Sequence, residues 1–379
     1  MKSDKTTPNV PTLRFKQYHC PWSTYHLSDI AEVVGGGTPD TTVSSLWNGD
    51  IQWFTPTEVG HQKYVSKSAR TITQLGLQKS SAKKLPAGSI LLSSRATIGE
   101  CSIAQRECTT NQGFQNLIPK KDTNNEFLYY LAQTKKHHFI KYASGSTFLE
   151  ISNSEIKKTK CTVPGTEEQT QIAAFLSALD DRIAVQNKII SKYETLIKGL
   201  CDMIFPSIEG SILPLKAIVS IEKGQQINGM SLAKTGKYYY LNGGIAPSGY
   251  IDDYNTSEET ISISEGGNSC GFVSYNLQKF WSGGHCYTLK IMAEQCRSKY
   301  LFFYLKYKEK DIMQLRVGSG LPNIQKKSLE NFNVKLPNYK KQCFVERVFE
   351  VVTAKKEIEN ALLERFQSQK KFLLSKMFI

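Results

Sequence analysis

The chain has 379 residues, a formal net charge of +14, 40% hydrophobic residues and 11% aromatic residues, enough apolar content to build cores in two or three domains and too much for a disordered protein. No apolar run approaches the roughly eighteen residues that span a membrane, and the polar opening MKSDKTTPNV lacks the apolar core of a signal peptide, so a cytoplasmic protein is expected. Nine cysteines without a CxxC pair, and six histidines without a CxxC…HxxxH frame, exclude the common zinc folds and read as reduced core thiols in a reducing compartment.

In chain order, residues 1–20, punctuated by Pro8 and Pro11, read as a flexible leader. A first globular domain follows over 21–165. It opens at Trp22 and Leu27-Ser28-Asp29-Ile30, then passes a glycine run, Gly35-Gly36-Gly37-Thr38-Pro39, whose neighbours match no phosphate-binding frame and which reads as a turn needing backbone freedom. Trp47 to Phe54 suggests a tight Asn-Gly turn beside an aromatic strand, and Leu85 to Arg95 a turn running into a buried strand that ends in hydroxyls and a cation. Phe127 to Lys141 is predicted as one short helix. Gly145-Ser146 then reads as a turn that seats the domain on the helix that follows.

That helix, 166–206, has a coiled-coil seam. Ile172, Leu176, Leu179, Ile183, Ile190, Tyr193, Ile197 and Leu200 recur at alternating steps of four and three, with Gln186 in the one polar slot. Thr166 and Gln169, directly after Pro164-Gly165, predict a capping box at its start. The seam demands a partner, and an internal repeat supplies one. A shift of 173 carries Pro164 to Pro337, Ile172 to Val345, Leu176 to Phe349, Leu179 to Val352, Tyr193 to Phe366 and Leu200 to Leu373; upstream it carries FLYYL onto YLFFY and Gly145-Ser146 onto Gly318-Ser319. The chain is thus read as a doubled unit, with a second globular domain over 207–337 and a second long helix over 338–379.

Charge is uneven between these parts. Residues 1–165 carry +8, the central helix −2, and the second domain and the C-terminal helix +4 each. An excess of cations on the globular domains points to an anionic partner, most simply nucleic acid. Catalytic signatures are lacking: the sequence contains no Pro-Pro dipeptide of the kind that amino methyltransferases use around a flipped base, no GxGxxG and no GxxxxGK[ST]. The acid pairs Asp180-Asp181 and Asp252-Asp253 read as solvated faces. No catalytic residue, metal site or cofactor is expected, which sets aside a free-standing nuclease or methylase; a purely structural coiled-coil adaptor would leave two dissimilar basic domains unexplained.

Together, WxxxxLxxI, GGGTP, NGDIQWFTP, ITQLGLQKSSAKKLPAGSILLSSRATIG, NQGFQNLIP and the P-x-x-x-E-Q that opens the heptad helix resemble the specificity subunit of a type I restriction–modification system. The resemblance implies an α+β fold: two globular α/β target-recognition domains separated by two long antiparallel coiled-coil helices, in a pseudo-twofold tandem repeat. It also implies that each domain reads one half of a split, asymmetric sequence in double-stranded DNA. The helices would set the spacing and dock two modification (methyltransferase) subunits through outward residues such as Asp181, Lys188 and Lys192, leaving room for two restriction (endonuclease/translocase) subunits. In the second domain GGGTP gives way to Lys223-Gly224-Gln225-Gln226 and NQGF to Ser282-Gly283-Gly284-His285, implying that the two halves read different sequences.

Direct DNA contact calls for cations and long polar side chains among aromatics and glycines, because these reach base edges and phosphates. In the first domain the expected contacts are Lys63, Tyr64, Lys67, Lys79, Ser80, Ser81, Lys83, Lys84, Ser94, Arg95 and Thr97. In the second they are Lys223, Gln225, Gln226, Asn228, Lys234, Lys237, Tyr238, Lys279 and Trp281. Trp22 and Trp53 are read as core residues and Trp281 as available for stacking.

Overall fold

The structure is a computed structural model describing residues 9–145, 149–229, 232–318 and 320–379. Ser146 and Ser319 of the two expected Gly-Ser turns, and residues 1–8 of the expected leader, lie outside the described residues. The chain divides into two units, residues 1–187 with 361–379 and residues 188–360, so each unit holds one globular domain and part of each long helix.

In the first unit a five-stranded sheet runs in the order Ala31–Gly35, Gln115–Pro119, Ile90–Leu92, Cys101–Ala104, Tyr64–Val65. A three-stranded sheet sets Trp47–Phe54 between Arg70–Ile72 and Cys108–Thr110. A third, two-stranded sheet pairs Ser23–His26 with Lys160–Val163, bringing the two ends of the domain together at the start of the central helix. The second unit repeats the plan. Its four-stranded sheet runs Val219–Lys223, Cys286–Ile291, Thr260–Ser264, Val273–Asn276; Tyr238–Leu241 lies between Gly249–Ile251 and Phe280–Ser282; Ser211–Pro214 pairs with Asn333–Leu336.

Several local expectations differ from the fold. Asn48-Gly49 makes no hairpin: Trp47–Phe54 is one strand with a bulge after Trp47. Asn48 takes the left-handed conformation (φ 63°), and a Cβ on Gly49 would stand 2.6 Å from Thr73 Cα, so the pair bends the strand around its neighbour. The helix expected over 127–141 is two, Asn125–Thr134 and Lys136–Lys141, broken at Lys135.

The long helices span Thr166–Ser207 and Tyr339–Met377. No capping box opens the first. The Gln169 side chain turns back instead: its amide donates to Pro164 O at 2.9 Å, and its Oε1 accepts from Asn124 N at 3.0 Å. In the second unit Gln342 donates to Pro337 O at 2.8 Å and accepts from Arg297 N at 2.9 Å, the same arrangement shifted by 173 residues. A single buried glutamine therefore ties the start of each long helix to the start of a short one, Asn125–Thr134 in the first unit and Ser298–Tyr307 in the second. Within each unit the long helices run antiparallel. Asp180 pairs with Lys370 at 2.6 Å in the first unit and Glu194 with Lys356 at 2.9 Å in the second.

Seam burial is graded. Ile172, Leu176, Leu179 and Leu373 are buried in the first unit's core, with Ile183 and Phe366 packed against it. Val345 and Phe349 are buried in the second, with Ile197 and Leu200 against it, while Ile190, Tyr193 and Val352 are half-buried. The gradient is physical: near a globular domain the seam is covered by helix and domain together, whereas two helices alone leave each other's flanks wet. The described part of the leader is anchored and not free, since Arg14 pairs with Glu168 at 2.7 Å and Leu13 N donates to Lys376 O at 2.9 Å.

Candidate nucleic-acid interface

The first domain sorts its expected contacts into two kinds. Lys67, Lys79 and Lys83 are exposed and have no ion-pair partner among the described residues, and Lys84 pairs with Glu107 at 2.5 Å in the open. Ser80 caps the turn by accepting from Ala82 N at 3.3 Å, and Ser81 is exposed on the same loop. Lys63 is turned inward: its side chain is 9% exposed, and its ammonium donates to Glu126 at 2.9 Å and to Ser177 of the central helix. Tyr64 is exposed at one edge and donates to the other Glu126 oxygen. These two residues tie domain to helix, and the charge of Lys63 is spent on Glu126. Burial pushes the Glu126 carboxyl up, but hydrogen bonds from Ser177, Tyr64 and Lys63 outweigh it and leave it below its usual value.

Arg95 reaches Glu150 through two nitrogens, at 2.6 and 3.0 Å, and stays 42% exposed. Ser94 beside it is wholly buried, and Thr97 donates to Ser93 Oγ at 3.2 Å. The glycine run next to this corner is explained by space and not by φ. A Cβ on Gly36 would stand 1.9 Å from Asn111 O, and one on Gly37 2.3 Å from Ala82 N. These close approaches place Thr38 against Gln112, whose side chains hydrogen-bond on the exposed surface. Thr38, Gln112 and Arg70, whose guanidinium lies 3.6 Å over the Trp47 ring, belong to this face and were not singled out by sequence. Trp22, Trp47 and Trp53 are core residues.

In the second domain the expected contacts gather into two patches. Lys223, Gln225, Gln226 and Trp281 share the first: Gln225 N donates to Ser282 O at 2.8 Å, and the half-exposed Trp281 indole donates to Gln225 O at 2.9 Å. Lys223 also pairs with Glu265 at 2.7 Å. Asn228 is exposed four residues after Gly224. The second patch is aromatic and cationic. Tyr238 packs on Tyr254 with ring centres 5.0 Å apart, Lys279 stands 4.6 Å over Tyr254, and Lys237 stands 5.2 Å over Tyr238, with Lys234 exposed nearby in sequence. A hydrogen bond from Lys279 to the Tyr254 hydroxyl raises the lysine above its ordinary value. Glu265 and His285 complete the first patch; both were passed over because an acid after a β-rich run and a histidine after two glycines carry no spacing signal.

The acid pair in the central helix is structural at one member: Asp180 accepts from Tyr130 OH at 2.6 Å and pairs with Lys370, while Asp181 is exposed, as are Lys188 and Lys192. Among the described residues no group of three or more His, Cys, Asp or Glu is arranged to hold a metal ion, and no helix is long and apolar enough to cross a membrane.

Two stretches of the chain, residues 20–195 and 212–367, match the family described as type I restriction modification DNA specificity domain. The chain belongs to that family. Each stretch takes in one globular domain and most of the long helix after it, which is the repeat seen in the fold. Among curated relatives the chain is similar to the type I restriction enzyme MjaIX specificity subunit of Methanocaldococcus jannaschii, 42% identical over 178 residues, 45% of this chain and 41% of that protein. The match therefore spans less than half of that relative's length. It is also similar to the type I restriction enzyme EcoprrI specificity subunit of Escherichia coli, 22% identical over 86% of each chain. Among solved structures, the S subunit of a type I restriction–modification system from M. genitalium shares the specificity-family fold over 98% of this chain and 99% of that one, with a TM-score of 0.67 at 18% identity.

Proposed function

We propose that this chain is the DNA-recognition subunit of a type I restriction–modification complex. Each globular domain reads one half of a split, asymmetric target, and the subunit catalyses nothing itself. The observation that carries this is the family match in two tandem stretches, each joining a domain to a long helix. The surface chemistry supports it. Each domain presents cations beside long polar or aromatic side chains, exposed Lys67, Lys79 and Lys83 in the first and exposed Lys234 and Lys237 with half-exposed Lys279 and Trp281 in the second, a combination suited to phosphates and base edges.

The helices would act as spacer and dock. At about 1.5 Å per residue the 42-residue central helix is about 60 Å long, and the spacer role rests on that length. Their outer faces leave Leu196, Met203, Phe344, Val351 and Ile358 exposed, an apolar stripe of the kind that a partner subunit covers. Two modification subunits are the proposed occupants.

The test combines binding and chemistry. Alone, the chain should bind any duplex weakly with a steep salt dependence and transfer no methyl group; with modification subunits added it should gain affinity and sequence preference together. Methyl transfer by the purified chain would overturn the non-catalytic reading, and sequence-independent binding that modification subunits leave unchanged would favour a general DNA-binding adaptor.

A further inference from the structure

We propose that Glu265, which fills in the second domain the backbone slot that Ser94 fills in the first, is a base-reading residue that accepts a hydrogen bond from the exocyclic amino group of a DNA base. This rests on the DNA-recognition reading above and deepens it.

The slots match bond for bond. Ser94 N donates to Gly113 O at 2.8 Å and Glu265 N to His285 O at 2.9 Å; Ser94 O accepts from Ile151 N at 3.0 Å and Glu265 O from Ile324 N at 2.8 Å. The residue before each, Ser93 or Ser264, accepts from a left-handed glycine, Gly99 (φ 85°) or Gly271 (φ 92°). The residue after each forms a bridge, Arg95 with Glu150 and Gly266 with Asn323.

Both slots also share an anomaly. Ser94 Oγ and Glu265 Oε2 are buried side-chain oxygens with no hydrogen-bond partner, and Ser94 and Glu265 are 0% and 7% exposed. An orphaned buried polar atom is costly, and Trp22 Nε1, Asn116 Oδ1 and Tyr240 OH bear the same cost, but at Ser94 and Glu265 it recurs at equivalent positions of two divergent domains, which at Glu265 fits a donor arriving from outside. In Glu265 the other oxygen is fixed, accepting from Lys223 Nζ at 2.7 Å and Tyr287 OH at 3.0 Å, so the carboxylate cannot turn. The exposed imidazole of His285 stands beside Oε2, with Nδ1 at 3.5 Å, and rotation of that exposed side chain would open the oxygen.

The surroundings differ in the direction this requires. The Arg95–Glu150 ion pair stands beside the first slot, whereas Gly266 brings no side chain and a Cβ on Gly267 would meet nothing within 4 Å. A carboxylate only accepts and repels phosphate. In the major groove the donors are the amino groups of cytosine and adenine.

The test maps the sequences methylated in random DNA by the full chain with its modification subunits, comparing wild type with Glu265→Gln, which preserves shape while replacing half the acceptor with a donor. Preference at one position of one half-site should fall at least about tenfold with the other half unchanged; a C·G or an A·T pair required there by wild type identifies the amino group. Should Glu265→Gln melt early, Tyr287→Phe, which keeps the carboxylate but frees it to turn, should relax the same position. A folded variant that marks the wild-type sequence with unaltered preferences, or one that relaxes both halves, overturns the assignment. A wild-type complex that marks no split sequence overturns the DNA-reading function itself.

Discussion

Glu126 joins three elements through one carboxylate, holding Lys63 and Tyr64 of the domain and Ser177 of the central helix. A carboxyl held below its usual 4.5 adds stability above about pH 4.5 and loses it as the pH falls through the lowered folded value. Glu126→Gln should therefore flatten the decline in melting temperature between about pH 5 and 3; an unchanged slope would remove Glu126 from the acid response. The thiols offer a second check. Burial pushes Cys108 up to about 12 and Cys161 to about 11, so both stay protonated and shielded at pH 8. A thiol reagent should modify exposed Cys20 at once, half-buried Cys201 and Cys343 more slowly, and the six buried cysteines only after unfolding; rapid modification of all nine would contradict the packing. At this scale the sequence was least legible. Lys63 looks like any lysine beside a tyrosine, and only the fold turns it to Glu126. Glu265 matters through a backbone geometry repeated from Ser94 with a different side chain, which no residue comparison could find.

The long helices were legible because a seam is a period and a period survives in sequence. Their start led directly to Gln169, although the bonds it makes were misjudged: a glutamine three positions after a threonine suggests a capping box, whereas a nearby carbonyl and an amide of another helix captured its side chain. Asn48-Gly49 was misread for a related reason, since a left-handed asparagine serves a bulge as well as a turn. Graded burial yields unequal costs along one seam. Leu176→Ala removes a side chain that is 0% exposed and should cost about 2–5 kcal/mol, while Ile190→Ala at a half-buried position should cost under about 1.5 kcal/mol. Urea titrations of the two variants would measure the difference; equal losses would mean the seam is covered uniformly.

For the whole molecule, the repeat makes the halves exchangeable in principle. The first unit's core uses Phe366 and Leu373 from the C-terminal helix and Phe378 just after it, and 173 residues earlier the central helix carries Tyr193, Leu200 and Phe205. A fragment of residues 1–206 should therefore pair with a second copy of itself through an antiparallel twofold contact. One bond is lost in the exchange, because the place of Lys370 opposite Asp180 falls to Ile197. Ile197→Lys should thus tighten the fragment dimer in sedimentation, and a weaker dimer would refute the register. The central claim is that each repeat reads half a target, and methylation mapping of the full chain and of the 1–206 fragment, each with modification subunits, tests it most directly. The full chain should mark one split asymmetric sequence and the fragment an interrupted palindrome built from one of its halves; a fragment dimer that still marks the asymmetric sequence, or a full chain that marks an uninterrupted one, would contradict the account.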